Sequence, residues 1–364
     1  MSCFQKGVLS LAALSVTALS FAATDMETRV RELEKEMKEV RSQTAAKTYG
    51  AYATTARPEN DGKGFFVTFD VLYWQSLVDG TQFAYSQGCD AYQTLPLNSD
   101  VRQITFNKWD WGFRAGAGYK FNHGEWDVYA NFTYFKNSSD LTVGDGILTT
   151  ILNNIMAVKP SLLSSSGKYY QNAVSSFKFS SNRLDLELGR DFYVSKFLSM
   201  RPHIGLMTAW INEQQTTKFT GGSIGYNTIE LTNEDKFWGV GPRTGINTTW
   251  HLCNGFSLIG NTSGAFVYGN YKLQKHQCYS YPTMSDNAYN LYDSLHRFSP
   301  TGQLQLGLRY DRYTTDCKQH FSAFLAWDIQ YWWNLYRFFP ADSIISSNND
   351  VSLQGATLNL RLDF

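Results

Sequence analysis

The sequence predicts an all-β protein, a transmembrane antiparallel up-and-down β-barrel of about ten to twelve strands, preceded by a short N-terminal coiled-coil helix. Three observations predict it. Apolar and polar residues alternate with period two through most of 65–364. Arg, Asp, Glu and Lys recur at strand centres, opposite faces that carry no charge. The sequence closes on Ala356, Leu358, Leu360, Leu362 and Phe364, alternating with Thr357, Asn359, Arg361 and Asp363.

Alternation alone says only that one face of a strand is buried. The identity of the polar face narrows the choice, because charge is depleted toward lipid and tolerated in a polar lumen. Phe65, Val67, Phe69, Val71 and Tyr73 oppose Thr68, Asp70 and Trp74. Trp109 to Tyr119 and Trp126 to Tyr134 repeat the pattern around the turn Asn122-His123-Gly124, which makes a hairpin. Runs around Leu184–Leu188, Leu198–Trp210, Trp238–Trp250, Leu304–Tyr310 and Phe321–Tyr331 continue it. Trp and Tyr near the ends of these apolar faces resemble interfacial girdles. Ten principal strands are expected, or twelve if hairpins lie within the long connections. Short connections at 122–125, 194–197, 252–255 and 314–319 alternate with long ones near 77–100, 137–175, 212–235, 271–298 and 335–350. Short turns belong to the periplasmic side and long loops to the outside.

Composition is consistent with this and excludes other classes. Among 364 residues, 32 Lys plus Arg balance 32 Asp plus Glu, so no nucleic-acid partner is expected. Aromatic residues make up 16%. That share alone would also fit an aromatic-rich soluble sandwich. Mean hydropathy is −0.33, and the sequence beyond the N-terminus offers no run of about 20 apolar residues for a spanning helix.

The N-terminus divides into three segments. Residues 1–22 read as a secretory signal peptide: Lys6, an apolar core from Gly7 to Phe21, and small residues before a cleavage after Ala22. Residues 23–44 read as a periplasmic coiled-coil helix. Met26, Val30, Leu33, Met37, Val40 and Thr44 repeat at four- and three-residue steps between charged residues. A solvated amphipathic helix lying on the barrel is the alternative. Residues 45–64, rich in Ala, Thr and Gly, read as a linker, and 65–364 as the barrel.

The residues expected to line the lumen are Asp70, Asp110, Arg114, Asp127, Arg183, Asp185, Glu187, Arg201, Arg243, Arg309 and Asp328. Either they border a watery path and set ion preference, or they pair and plug a narrow barrel. No catalytic, cofactor or metal site is expected. HExxH and phosphate-cradling loops do not occur, and the six His residues are scattered. His203 is expected to face the lumen with Arg201.

Phe237-Trp238-Gly239-Val240-Gly241-Pro242-Arg243-Thr244-Gly245, followed by Trp250 and Gly255-Phe256-Ser257-Leu258, resembles the Legionella-type major outer membrane protein family, which has relatives in environmental chlamydiae. Gly64-Phe65-Phe66, Leu72-Tyr73-Trp74 and Arg201-Pro202-His203-Ile204-Gly205 support the resemblance, which covers roughly 65–364. It implies a pore-forming or structural protein of the bacterial outer membrane. The expected role is passive diffusion of small hydrophilic solutes or ions. A structural or adhesive barrel with a closed lumen is the alternative, and an outer-membrane enzyme the third reading. Expected partners are outer-membrane lipid, the barrel-assembly machinery, for which Leu358, Leu360, Leu362 and Phe364 resemble the signal, and further copies of the chain. The coil predicts a homo-oligomer and is compatible with a trimer.

Four cysteines remain after the signal peptide, in an oxidising compartment. Cys253 and Cys317 fall in short turns, Cys89 and Cys278 in long connections. A core of about 30 Å separates the two sets, so intrachain bridges would be Cys89–Cys278 and Cys253–Cys317. Cross-links between chains, of the kind the chlamydial relatives imply, and four unpaired thiols are the other readings.

Overall fold

The structure, a computed structural model, describes residues 64–87, 99–121, 125–144, 147–150, 171–195, 197–221, 228–253, 255–280, 287–313, 319–338 and 347–364. The expected signal peptide, coil and linker, apart from Gly64, lie outside the described residues.

Fourteen strands are described: β1 (Gly64–Val78), β2 (Gln82–Gln87), β3 (Ser99–Gln103), β4 (Asp110–Lys120), β5 (Trp126–Val143), β6 (Ile147–Thr150), β7 (Asn172–Arg190), β8 (Phe192–Ser195), β9 (Leu198–Thr220), β10 (Thr228–Cys253), β11 (Phe256–Ser280), β12 (Asn287–Tyr313), β13 (His320–Phe338) and β14 (Ser347–Asp363). Ten are staves of one closed barrel, in the order β1-β4-β5-β7-β9-β10-β11-β12-β13-β14 and back to β1. Every neighbouring pair of staves is antiparallel. The short β8 pairs with the base of β9, and β2 joins β3 and β6 in a separate three-stranded sheet. Closure leaves no stave with a free edge, the condition for a sheet in hydrocarbon.

The ends of the lipid-facing band are set by aromatic residues at a constant interval. Trp238 and Trp250 on β10, Phe256 and Tyr268 on β11, Phe298 and Tyr310 on β12, and Phe321 and Trp333 on β13 stand twelve residues apart, all exposed on the outer surface. At about 3.3 Å per residue and a tilt of about 40°, twelve residues rise roughly 30 Å, the hydrocarbon thickness of a bilayer. Leu358, Leu360, Leu362 and Phe364 are exposed on the same band.

Above the outer aromatic ring the strands continue. The stretches 212–235 and 271–298, expected as loops, are largely strand: β9 runs to Thr220, β10 starts at Thr228, β11 reaches Ser280 and β12 begins at Asn287. The reason is an inversion of the pattern. Below the ring the apolar side chains face outward to lipid. Above it Ile211, Phe219, Ile229, Leu231, Phe237, Tyr271 and Leu273 face inward and are buried, while polar side chains face water. These join Trp74, Phe135, Phe177, Phe179, Trp332, Leu335 and Tyr336 in an apolar plug that fills the outer half of the barrel. Segments between the staves contribute to it: Phe83 from β2 and Ile104 and Phe106 from the connection after β3 are buried there.

β13 supplies the centre of the plug by bending. Asn334 has φ 55°, and the register with β14 shifts between Trp332 and Tyr336. Asn is among the few residues that adopt this left-handed conformation readily. Asp350 holds the bend, accepting from the Asn334 backbone N–H at 2.7 Å and from the Tyr331 hydroxyl at 2.7 Å. Beyond the bend, Leu335 and Tyr336 are fully buried, and the Arg337 N–H donates to Asp235 Oδ2 on β10 at 2.9 Å.

Candidate functional site: the barrel interior

All the side chains expected in the lumen lie on inward-facing positions, and most belong to one charged layer in the periplasmic half. Arg114 on β4 meets Asp70 on β1 at 3.0 Å and Asp328 on β13 at 3.8 Å. Asn359 and Thr357 on β14 donate to Asp70 and Asp328 respectively. On the facing wall Asp185 on β7 lies between Arg183 at 2.8 Å and Arg243 on β10 at 2.7 Å. Arg243 and Arg201 approach Glu187 at 3.7 Å and 3.2 Å, and Arg201 Nε donates to Asp127 on β5 at 2.8 Å. The period-two pattern sends residues 183, 185 and 187 to the same face, which is why one strand supplies three members of the layer. His203 is buried beside Glu187, as expected.

Asp70, Arg114 and Asn359 of the first group and Arg183, Asp185, Glu187, Arg201 and Arg243 of the second line one polar cavity of about 180 Å³, together with Tyr129, Asn131 and Asn261. That is room for on the order of ten water molecules. Asp110 stands apart from the layer, near the outer end of β4, where it accepts from Asn137 at 2.9 Å. Arg309 also lines the cavity and hydrogen-bonds Asp311 and Ser322.

The periplasmic rim holds a second set that sequence reasoning does not assign to the interior. His320 is buried between Asp363 at 2.6 Å and Asp311 at 3.1 Å. In the sequence it is one of six scattered His residues. Lys120 reaches Asp191 at 3.0 Å.

A third set lies above the membrane, at the base of the plug. Glu213 on β9 and Asp235 on β10 are direct cross-strand partners, both buried. Burial, then the charge of Asp235, raises the Glu213 carboxyl well above its ordinary range. Burial raises that of Asp235 likewise, opposed by the Arg337 N–H and guanidinium. Tyr336 is pushed up by burial and then by Glu213 and Asp235, and its hydroxyl donates to Gln215 Oε1 at 3.2 Å. A signal for this pair exists in the sequence. Trp210 and Trp238 cap the two apolar runs of one hairpin, and counting outward from that cross-strand pair places residue 213 opposite 235.

Cys278 lies at the outer end of β11 as a free thiol, 3.2 Å from His276 Nε2. Cys253 ends β10 at the opposite end of the barrel, as the expected topology requires. Cys89 and Cys317, and with them both expected bridges, lie outside the described residues. Among the described residues no group of three His, Cys, Asp or Glu side chains could hold a metal ion.

Among solved structures, the chain is similar to the outer membrane protease OmpT from Escherichia coli, at 9% identity and a TM-score of 0.37, over 83% of this chain and 97% of that one. It is similar to a major outer membrane protein from Thermus thermophilus, at 9% identity and a TM-score of 0.30, over 83% and 99%. It is also similar to the CymD monoaromatic hydrocarbon channel, at 11% identity and a TM-score of 0.32, over 86% and 94%. No curated protein matches the sequence. The profile of the Legionella pneumophila major outer membrane protein precursor matches residues 57–364, so the chain, a closed barrel of the outer membrane, belongs to that family.

Proposed function

We propose that this protein is a porin with a narrow, gated path for small hydrophilic solutes or ions. The observation that carries the reading is the polar cavity in the periplasmic half, walled by Asp70, Arg114, Arg183, Asp185 and Arg243 inside a hydrocarbon-facing cylinder. Buried ion pairs add little or nothing to stability over well-packed apolar residues. A barrel serving only as structure could fill this layer with Leu and Phe. The charged layer therefore suits a path that is wet when open. In this reading the plug closes that path, and conduction requires the end of β13 to withdraw. No catalytic step is part of this reading.

A second reading, a structural barrel with a permanently closed lumen, is favoured by the plug itself, where Trp74, Leu335 and Tyr336 are buried to 1% exposure or less. Conductance of the purified full chain in planar bilayers separates the two. Discrete channel openings are expected for the porin. A silent trace at every applied voltage, from protein shown to be inserted, sinks it.

A further inference from the structure

The lipid-facing surface is not uniform. Where β7, β9, β10 and β11 cross the middle of the bilayer, an apolar dent of about 690 Å³ interrupts it, walled by Leu186, Leu188, Ile204, Leu206, Pro242 and Phe266. Small residues make the dent, with Gly264 on β11 beside Pro242 on β10. Pro242 has no N–H to give, and the pairing of β10 with β11 is interrupted at Gly241 and Pro242 while that with β9 continues.

On the same strands, just above the aromatic ring, Lys236 and Lys272 are direct cross-strand partners, both exposed on the outer surface. Side chains so paired start about 5 Å apart, close enough to grip one phosphate together. Glu234 contacts Lys236 at 2.7 Å and offsets part of its charge. Among the described residues Lys272 has no carboxylate within 4 Å. Asn270 and His296 follow one row below, hydrogen-bonded to each other at 3.0 Å.

The depths of the two features agree. Residue 244 is midway between Trp238 and Trp250 and so marks the bilayer centre on β10. Lys236 is eight residues further out, roughly 20 Å of height at the same tilt. A bilayer including headgroups is about 40–45 Å thick, so about 20 Å from the centre is the phosphate layer. The dent lies at the level reached by the tail of a lipid whose phosphate sits at the lysines.

We infer that β7 and β9–β11 carry a specific site for a phosphate-bearing lipid of the outer leaflet, with its phosphate on Lys236 and Lys272 and an acyl chain in the dent beside Pro242 and Gly264. The charge pair selects the phosphate and the dent selects the chain. Neither half requires the lumen to conduct, so the site is independent of the porin reading.

The test uses the purified full chain, stripped of lipid in mild detergent, and native mass spectrometry. The probes are diphosphoryl lipid A, the same lipid dephosphorylated, and inorganic phosphate. Wild type is expected to retain diphosphoryl lipid A at least tenfold better than the dephosphorylated lipid and not to retain inorganic phosphate. Lys236→Gln with Lys272→Gln is expected to abolish that preference. Gly264→Leu, where an added Cβ meets only the Thr301 carbonyl at an ordinary 3.5 Å, is expected to fill the dent and weaken retention of both lipids. Equal retention of the two lipids by wild type would overturn the proposal. So would binding of inorganic phosphate as strong as that of the lipid, or a Gly264→Leu protein that keeps its lipid and changes its oligomeric mass instead, which would make the dent a contact between copies.

Discussion

Glu213 and Asp235 face each other across the β9–β10 ladder, and the second of them accepts the Arg337 N–H that seats the bent end of β13. A pair of buried carboxylates thus sits under the segment that closes the barrel. Two such groups at one site cannot both ionise without large cost, so the charge of one opposes ionisation of the other. Arg337, Tyr336 and Gln215 are the other polar side chains tied to this pair.

The pair makes the plug sensitive to pH. Both carboxyls are raised in the folded state, so the folded barrel binds more protons here than the unfolded chain. Their contribution to stability is therefore greatest at acidic pH and is lost as pH rises from the ordinary carboxyl range toward the raised values. Glu213→Gln removes the second ionisation. It is expected to raise stability at pH 8 by at least about 1 kcal/mol, the free energy of one tenfold change in proton affinity, and to flatten the pH profile. Thermal unfolding of the two proteins between pH 5 and 9 checks this, and identical slopes would contradict it.

Truncating the plug should open the path. Leu335→Ala and Tyr336→Ala each remove a fully buried side chain at the constriction, at about 2–5 kcal/mol of local stability. Since ten staves hold the cylinder, the barrel is expected to stay folded while channel openings become larger and more frequent. Unchanged single-channel amplitudes would place the constriction elsewhere.

The charged layer predicts an asymmetry between removing one ion and replacing it with its partners. Asp185→Ala leaves Arg183 buried without its carboxylate and Arg243 with only Glu187 at 3.7 Å, and should cost about 3–5 kcal/mol. It should also turn the ion preference of the path toward anions, read as a shift in reversal potential under a salt gradient. Asp185→Leu together with Arg183→Met and Arg243→Met should cost much less, because neither arginine is then left buried beside a lost carboxylate and Glu187 keeps Arg201.

Two glycines of the wall should differ. A Cβ on Gly205 would lie 1.8 Å from the Leu186 carbonyl oxygen, inside the ladder between β7 and β9, whereas one on Gly264 meets nothing closer than 3.5 Å. Gly205→Ala is expected to block folding or force the ladder apart, and Gly264→Ala to be neutral within about 0.5 kcal/mol. Refolding yield into detergent, scored by resistance of the barrel to trypsin, distinguishes them.

The membrane-spanning part is legible in the sequence because one rule governs it: apolar outward, polar inward, period two. That rule locates the staves, counts ten of them and assigns Asp70, Arg114, Asp185 and Arg243 to the interior. It fails above the outer aromatic ring, where water replaces lipid and the plug replaces the cavity. There Ile211 and Phe219 point inward, so the alternation reverses its sense and resembles a loop. The bend at Asn334 is hidden for another reason. It depends on Asp350, sixteen residues away, and on Asp235, about a hundred residues away, neither of which any local pattern connects to β13. His320 escapes assignment because its two carboxylate partners, Asp311 and Asp363, come from different strands.

β1 and β14 meet along thirteen consecutive residue pairs, from Phe66 with Asp363 to Val78 with Val351, and the Phe364 N–H donates to the Phe65 carbonyl at 2.8 Å. These are the described staves furthest apart in sequence, so the seam joining them is the contact with the longest loop to close and the last a growing chain could form. Until it forms, two strands carry unpaired backbone that neither lipid nor a partial sheet can satisfy. No stable half-barrel should exist. The protein has to reach its membrane whole and unfolded, and its insertion should behave as a single committed event in which truncation of either strand leaves nothing inserted.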